Sequence, residues 1–124
     1  MTTSNTTADL ETKRIPANEL EMYFDKFTKH FLVHDSTNRV DVELIAPDWG
    51  DQFAAEGAQL RGITYDPKDD ALEFELEGGD HRIQHPQEVW VAEEIDTFIK
   101  AIQVVREDGS REIARVNRLG VVPK

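Results

Sequence analysis

Two histidines four residues apart come closest to a metal site in this chain. The stretch GDHRIQHPQEVWV, residues 79–91, carries His81 and His85, with Asp80 beside the first imidazole. In a strand both imidazoles would share one face, roughly 13 Å apart at the ordinary rise per residue. Because zinc holds each nitrogen at about 2 Å, this spacing predicts solvated or hydrogen-bonded histidines. His81 and His85 stay metal candidates only if the chain bends between them.

The other side chains that could carry chemistry are absent or wrongly arranged. The chain has no cysteine, which excludes disulfides, thiolate metal sites and thiol nucleophiles. It has no Gly-x-Ser-x-Gly or phosphate-loop motif, and the acidic loop 66–70 misses the EF-hand spacing. Asp48 and Asp51 flank Trp49, an indole that either floors a pocket or anchors a loop. The sequence therefore predicts a non-enzymatic protein with no catalytic residues and no cofactor.

The charge balance bears on the class of partner. The chain has 14 Lys and Arg against 25 Asp and Glu, a formal charge of -11 that repels phosphate backbones and anionic lipid. The charge is uneven, because residues 106–124 carry five basic and three acidic side chains. Within this basic end, Arg111 and Arg115 either contact an acidic partner or belong to a solvated strand face. We expect a protein partner rather than nucleic acid or membrane.

The termini and the length set the expected domain organisation. Residues 1–13 are polar and threonine-rich without an apolar period, which is typical of a disordered tail. They have no basic region followed by an apolar run, and no stretch of the chain reaches the roughly 18 apolar residues of a membrane span. These features predict a soluble cytoplasmic protein with a single globular domain at residues 14–118. Residues 119–124 are expected to form a tail or an edge extension.

An amphipathic helix is the first predicted element. Its apolar residues recur at spacings of three and four within residues 15–31, and they are Leu20, Tyr23, Phe24, Phe27 and Phe31. Asn18 followed by Glu21 predicts a capping box at the start of this helix. The aromatic stripe predicts that the helix packs against a sheet.

Beyond residue 39 the apolar period changes from 3.6 to 2, which indicates strands. Val40, Val42 and Leu44 alternate with acidic residues, whereas residues 47–59 show no period and are predicted to be irregular, with room for a helical turn. Residues 60–79 and 98–116 each predict a hairpin. One helix followed by five or six short strands predicts an α+β or mainly β domain. The helix would cap a small antiparallel sheet or barrel, analogous to Sm-like and SH3-like folds.

Trp90 has two interpretations in the segment EVWVAEE. Val89 and Val91 share one strand face and Trp90 points to the other. If Trp90 is exposed, it is a candidate hot spot for a partner that adds a strand near Pro86. If it is buried, it packs under the aromatic helix, which is the interpretation that the sequence favours.

Four segments, taken in order, resemble the bacterial DUF5335 family: RIP…L…YFDKF, GITYDPKDDALEFEL, HRIQHPQEVWV and IQVVREDGSREI. The resemblance spans most of residues 14–116, and it brings no activity because the family has no assigned function. The histidine and proline that the family places before its fourth strand correspond to His81 and Pro86. His85 has no counterpart in that motif, so the resemblance does not imply a metal pair.

Three functional hypotheses follow. The first is an acidic interaction or regulatory module that binds a protein through a sheet edge or the basic terminal hairpin. Its candidate contact residues are Trp90, Arg111 and Arg115. The second is a small-molecule or metal-binding protein whose pocket lies near Trp49, His81 and His85. The third is a nucleic-acid mimic, because one strand face is lined by Glu73, Glu75 and Glu77.

Overall fold

The computed structural model describes residues 10–46 and 50–118, which form eight strands and one short helical segment. The helical segment is a 3-10 turn at Ala17–Glu19, helix α1 at Leu20–Phe27 and a π-helical turn at Thr28–Leu32. The strands are β1 Glu11–Arg14, β2 Asn38–Ala46, β3 Gly50–Asp66, β4 Ala71–Leu76, β5 His81–Gln84, β6 Glu88–Glu93, β7 Ile99–Val105 and β8 Arg111–Arg118. None of the described helices is long and apolar enough to cross a membrane.

The eight strands belong to one antiparallel sheet in the order β1-β6-β7-β8-β2-β3-β4-β5. The first half of β3 pairs with β2 and its second half pairs with β4. The edge strands β1 and β5 do not pair with each other, so the described strands form an open sheet. The mainly β, antiparallel class is confirmed, whereas the expected strand number of five or six and the barrel alternative are wrong.

The short link between β5 and β6 requires the sheet to curl. These strands are six steps apart in the sheet order, a distance of about 29 Å if the sheet were flat. Only residues 85–87 join them, and an extended link of this length reaches about 14 Å. The far strand β5 therefore folds back over one face of the sheet, which we call the inward face.

The helix lies on this inward face, as its aromatic stripe predicts. The buried members of the stripe are Leu20, Phe24 and Phe27. The Thr28 hydroxyl accepts a 2.9 Å hydrogen bond from the Ile63 N–H and donates one of 2.9 Å to the Ile63 carbonyl. A Cβ at Gly62 would lie 3.4 Å from Thr28 Cγ2 and 2.9 Å from Glu75 Oε1, so it would crowd the end of the Glu75 side chain more than the helix. The two Thr28 hydrogen bonds fix the helical segment to the backbone of β3.

Two predicted boundaries near the N-terminus are wrong. Residues 11–13 were assigned to a tail, but they belong to β1 and pair with β6. An exposed edge strand bonds through its backbone and needs no apolar period, so the sequence gives no signal there. The N-cap of α1 is Glu19 and makes no side-chain capping hydrogen bond, so the capping box of Asn18 is not formed. The predictions for residues 1–9 and 119–124 fall outside the described residues.

The segment predicted to be irregular is a strand over residues 50–59, the first half of β3. Most of its side chains are exposed, and a strand with no buried face shows no apolar alternation. Both predicted hairpins are confirmed. Tyr65 pairs with Leu72 in the first, and Gln103 pairs with Ile113 in the second.

Candidate interaction surface

The sheet has a second face that no described element covers, and we call it the outer face. Val89 and Val91 are buried on the inward face, so the alternation of β6 turns Trp90 outward. The same alternation holds along the neighbouring strands. The central outer-face residues of β1, β6, β7 and β8 are Thr12, Arg14, Trp90, Ala92, Ala101, Gln103, Arg111, Ile113 and Arg115.

A single row of cross-strand partners runs over this face. Its members, in order from β1 to β3, are Arg14, Trp90, Gln103, Ile113, Glu43 and Phe53. In the next row, Ala92 and Ala101 are opposite each other and present only methyl groups. These small residues leave a groove of about 260 Å3 beside Trp90 and Ile113. The outer face is therefore apolar and slightly concave at its centre.

Trp90 is half-buried, and the indole N–H donates a 2.9 Å hydrogen bond to Glu88 Oε1. The prediction that Trp90 packs under the helix is wrong, because the helix lies on the opposite face. The alternation of the two valines around Trp90 already indicated opposite faces, but the sequence alone does not say which face the helix covers.

The acidic side chains of the outer face are engaged within the protein. Glu43 accepts a 2.8 Å hydrogen bond from Arg115, and Asp41 accepts one of 2.6 Å from the Gly57 N–H. The bond from Arg115, followed by a hydrogen bond with Asp51, lowers the pKa of the Glu43 carboxyl. The same hydrogen bond raises the pKa of Asp51, so Asp51 holds a proton more readily than its neighbour. Of these outer-face carboxylates, Glu43 is the one paired with a cation within the described residues.

The arginines of the outer face differ in whether they form an ion pair. Arg115 is occupied by Glu43, while Arg14 and Arg111 are exposed and make no ion pair with any other described residue. The three predicted contact residues, Trp90, Arg111 and Arg115, thus lie on one face. Whether they contact a partner stays a prediction.

The two predicted metal candidates are not brought together. His81 lies on β5 with its Nε2 atom 2.5 Å from Glu112 Oε1, and Arg106 is 3.2 Å from the other carboxylate oxygen. His85 follows the end of β5 in a left-handed conformation, with φ +51°, and its Nδ1 is 3.2 Å from Asp70 Oδ2. The chain bends at His85 itself, so the expected common strand face does not exist. Across residues 10–46 and 50–118, no group of three or more possible ligands could hold a metal ion.

The other predicted pocket residue, Trp49, lies outside the described residues, as does its neighbour Asp48. Of the pocket expected between Trp49, His81 and His85, the structure describes only the two histidines, and they contact separate carboxylates. The outcome for Trp49 stays a prediction.

Sequence reasoning missed two buried glutamates, Glu93 and Glu112. Glu93 accepts a hydrogen bond from the Tyr23 hydroxyl and lies 3.3 Å from the Lys13 ammonium. Burial, and then the hydrogen bond to Glu93, raise the pKa of the Tyr23 hydroxyl well above its ordinary value. A signal was present, because each glutamate continues the buried alternation of its own strand. The partners Tyr23, Lys13 and His81, however, come from distant parts of the chain.

Fold and surface together define a small mainly β domain, one curled antiparallel sheet with a helix on one face and an uncovered apolar strip on the other. The family described as "Family of unknown function (DUF5335)" matches residues 11–123. The chain belongs to this family, which confirms the resemblance found in the sequence. A relative from Aquifex aeolicus (strain VF5), named "Uncharacterized protein", is 40% identical over 108 residues, covering 86% of this chain and 93% of the relative. Comparison with solved structures gives no match.

Proposed function

We propose that this protein is a non-enzymatic interaction module that binds a partner protein through the outer face of its sheet. The observation that carries the proposal is the row from Trp90 through Gln103 to Ile113 on a face that no described element covers. Antiparallel sheets are usually polar where one face meets water. An apolar strip rimmed by charged groups is typical of a protein-binding surface.

Trp90 is the natural anchor of this surface. Tryptophan is enriched among the few interface residues that contribute most of the binding energy. The hydrogen bond to Glu88 holds the indole in one orientation, which limits the entropy lost on binding. The adjacent groove of about 260 Å3 can receive an apolar side chain from the partner.

The charges on this face favour a partner with carboxylates around an apolar centre. Arg14 and Arg111 make no ion pair among the described residues, whereas Glu43 is paired with Arg115. The whole chain carries a formal charge of -11 and repels an acidic partner elsewhere. Complementary charge at one face therefore favours a single docking orientation and makes association weaker at high salt.

The experiment compares wild-type protein with Trp90→Ala and Arg111→Glu in binding to a protein captured from cells of the source organism and then purified. Met22→Ala is the matched apolar control, since Met22 is 64% exposed on the helix. Lys68→Glu is the matched charge control, in the exposed turn between β3 and β4. We expect Trp90→Ala and Arg111→Glu to weaken binding at least about tenfold. Both controls should bind like wild type.

Equal binding by Trp90→Ala, Arg111→Glu and wild type would contradict the proposal. So would an equal loss in the Met22 and Lys68 controls, because that loss would locate the partner elsewhere. Circular dichroism of each variant shows whether a loss comes from unfolding.

The other two hypotheses stay predictions, and within residues 10–46 and 50–118 no observation favours a pocket at His81 and His85 or a nucleic-acid mimic. His81 and His85 contact separate carboxylates, those of Glu112 and Asp70. Along the acidic face of β4, Glu73 lies 3.8 Å from the guanidinium of Arg82, so a cation interrupts the stripe expected of a nucleic-acid mimic.

A further inference from the structure

A groove of about 750 Å3 lies on the inward side of the molecule, between the helical segment, β1 and the turn that joins β6 to β7. The residues that line it are Lys13, Tyr23, Asp25, Lys26, Phe27, Lys29, His30, Phe31, Glu93 and Thr97. This volume is in the range of about 300–1,000 Å3 that small-molecule sites occupy. The groove and the outer face lie on opposite sides of the β1–β6 pair, so each can be tested without the other.

The floor of the groove is aromatic and well supported. Phe27 and Phe31 have ring centroids 5.3 Å apart, and each packs against Phe98, at 5.3 and 5.1 Å. The guanidinium of Arg118 lies 4.1 Å from the Phe98 centroid and is held by a carboxylate of the β6–β7 turn, Asp96, at 3.0 Å. This packing fixes the rings before any ligand arrives. A preformed floor binds a flat apolar body at little cost in conformational entropy.

The charged groups that line the groove leave one cation in excess. Each acidic residue has a partner of its own, with Glu93 3.3 Å from Lys13 and Asp25 3.2 Å from Lys29. Lys26 forms no ion pair with any other residue in the described ranges. His30, whose ring packs edge-on against Phe31 at 4.5 Å, forms none either. In a chain with a formal charge of -11, this groove presents the unpaired ammonium of Lys26 and the imidazole of His30 above an aromatic floor.

The rim at the β6–β7 turn is unusual in two respects. Thr97 has φ +72°, a left-handed conformation that a β-branched residue rarely adopts. Ile95, two residues earlier, is 90% exposed. Strained backbone persists where the surrounding structure holds it, often beside a binding site. Thr97 itself lines the groove.

We propose that this groove binds a small organic acid with a ring-sized apolar body. The apolar body packs on Tyr23, Phe27 and Phe31. The acid group is bound by the Lys26 ammonium and the imidazole of His30. Charge complementarity selects an anion over a neutral or cationic molecule of the same shape.

Three probes of matched shape test this charge preference: naphthoate, naphthylmethanol and naphthylmethylamine. Each is titrated into isotopically labelled wild-type protein and followed by amide NMR shifts. We expect naphthoate to shift the amides of Lys26, His30, Phe31 and Thr97 and to bind at least about tenfold more tightly than the alcohol, as one charged contact allows. The amine should bind more weakly than the alcohol. Equal affinity for the three probes, or shifts confined to other residues, would overturn the proposal.

Variants then test which residues bind the acid group. Lys26→Glu combined with His30→Gln should weaken naphthoate binding about tenfold and leave the alcohol unchanged. Both side chains are exposed, so the fold should tolerate the changes. Lys68→Glu is the control with a similar change of charge far along the chain. If Lys68→Glu weakens naphthoate binding equally, the effect comes from net charge alone and the groove is not the site.

The naphthoate tests are independent of the test of the proposed function. Trp90→Ala should leave naphthoate binding unchanged, and naphthoate should not displace a protein bound at the outer face. Loss of naphthoate binding in Trp90→Ala would place the probe on the outer face and would overturn the assignment to the groove.

Discussion

Glu93 and Glu112 are both buried on the inward face, but they fasten the sheet in different ways. Glu93 contacts Tyr23 of the helix and Lys13 of β1, a strand already hydrogen-bonded to β6. Glu112 contacts His81 of β5, which is four steps from β8 in the sheet order. The Glu93 contacts thus reinforce an existing strand pair. The contact between Glu112 and His81 joins β8 to β5, two strands that share no backbone hydrogen bonds in the described residues.

The difference teaches where a buried charge matters most to this fold. A carboxylate loses its hydration on burial and is tolerated only when cations and hydrogen-bond donors replace the water. Around Glu112 the partners are His81 of β5 and Arg106 of the turn between β7 and β8, so the His81 contact also holds the curl together. Around Glu93 the backbone ladder of β1 persists even if a side-chain contact is lost. We therefore expect larger losses of stability at Glu112 than at Glu93.

The largest effect is expected from removing both partners of Glu112 in His81→Ala/Arg106→Ala. The glutamate side chain is 5% exposed and would be left buried without either partner. Such a change typically costs about 3–5 kcal/mol in the free energy of unfolding. Urea denaturation followed by circular dichroism measures it.

Adding Glu112→Leu to this double variant is the sharpest control. It removes the unpaired carboxyl group, so most of the lost stability should return. A loss below about 1 kcal/mol in the double variant would show that the carboxylate finds water, and that the pair does not hold the curl closed.

A smaller effect is expected at Glu93 from Tyr23→Phe. The substitution removes the hydroxyl donor and leaves the Lys13 contact, so about 1–2 kcal/mol of stability should be lost. The matched control is Tyr65→Phe, because that hydroxyl donates a 2.6 Å hydrogen bond to Asp70, a half-exposed carboxylate at a turn. Water replaces the donor there, so the loss should be under about 0.5 kcal/mol. Equal losses in the two variants would remove the distinction between buried and open carboxylates.

Thr97→Gly, a substitution close in sequence to Glu93, should raise the free energy of unfolding. Thr97 follows the turn after β6 with φ +72°, a conformation in which a Cβ costs roughly 1–2 kcal/mol and glycine little. The greater freedom of glycine in the unfolded chain offsets part of this, so a gain of about 1 kcal/mol is expected. Thr97→Ala keeps the Cβ and should gain much less. A destabilised Thr97→Gly would show that the threonine side chain contributes packing that outweighs the strain.

The sequence predicts elements well where one face of a strand is buried. The alternation of Leu72, Phe74 and Leu76 gave β4 and its hairpin correctly, and all three residues are buried. The same reasoning failed for residues 50–59, which form a strand with mostly exposed side chains. Apolar periodicity reports burial and not strand pairing, so an exposed half-strand is invisible to it.

The candidate sites show the same limit. The alternation around Trp90 predicted opposite faces for Trp90 and its valine neighbours, and cross-strand register then joined Trp90 to Ile113. Glu112 was overlooked even though it continues the buried face of β8. A charged residue in phase with apolar ones is a readable signal of a buried ion pair. The identity of its partner, His81, depends on the curl of the sheet and cannot be obtained from local pattern.

The last prediction concerns the titration of the two tyrosines of the chain, which has the smallest effect at neutral pH. The pKa of each tyrosine reports the environment of its own hydroxyl. Burial, and then the bond to Glu93, raise the pKa of Tyr23 far above the ordinary 10.0. Burial, and then the bond to Asp70, raise the pKa of Tyr65 to about 12. In both cases the folded state keeps a proton that the unfolded chain releases near pH 10.0. Their contribution to stability is therefore complete below that pH and is lost as the pH rises above it.

Ultraviolet absorbance of tyrosinate separates the two groups. Tyr23→Phe should retain one step near pH 12, from Tyr65. Tyr65→Phe should show no step until the protein unfolds, because ionising Tyr23 would place a second negative charge against Glu93. A step near pH 10.0 in folded Tyr65→Phe, with circular dichroism unchanged, would show that the hydroxyl of Tyr23 reaches water. The contact between Tyr23 and Glu93 would then be open to solvent, and only the contact between Glu112 and His81 would behave as a buried pair.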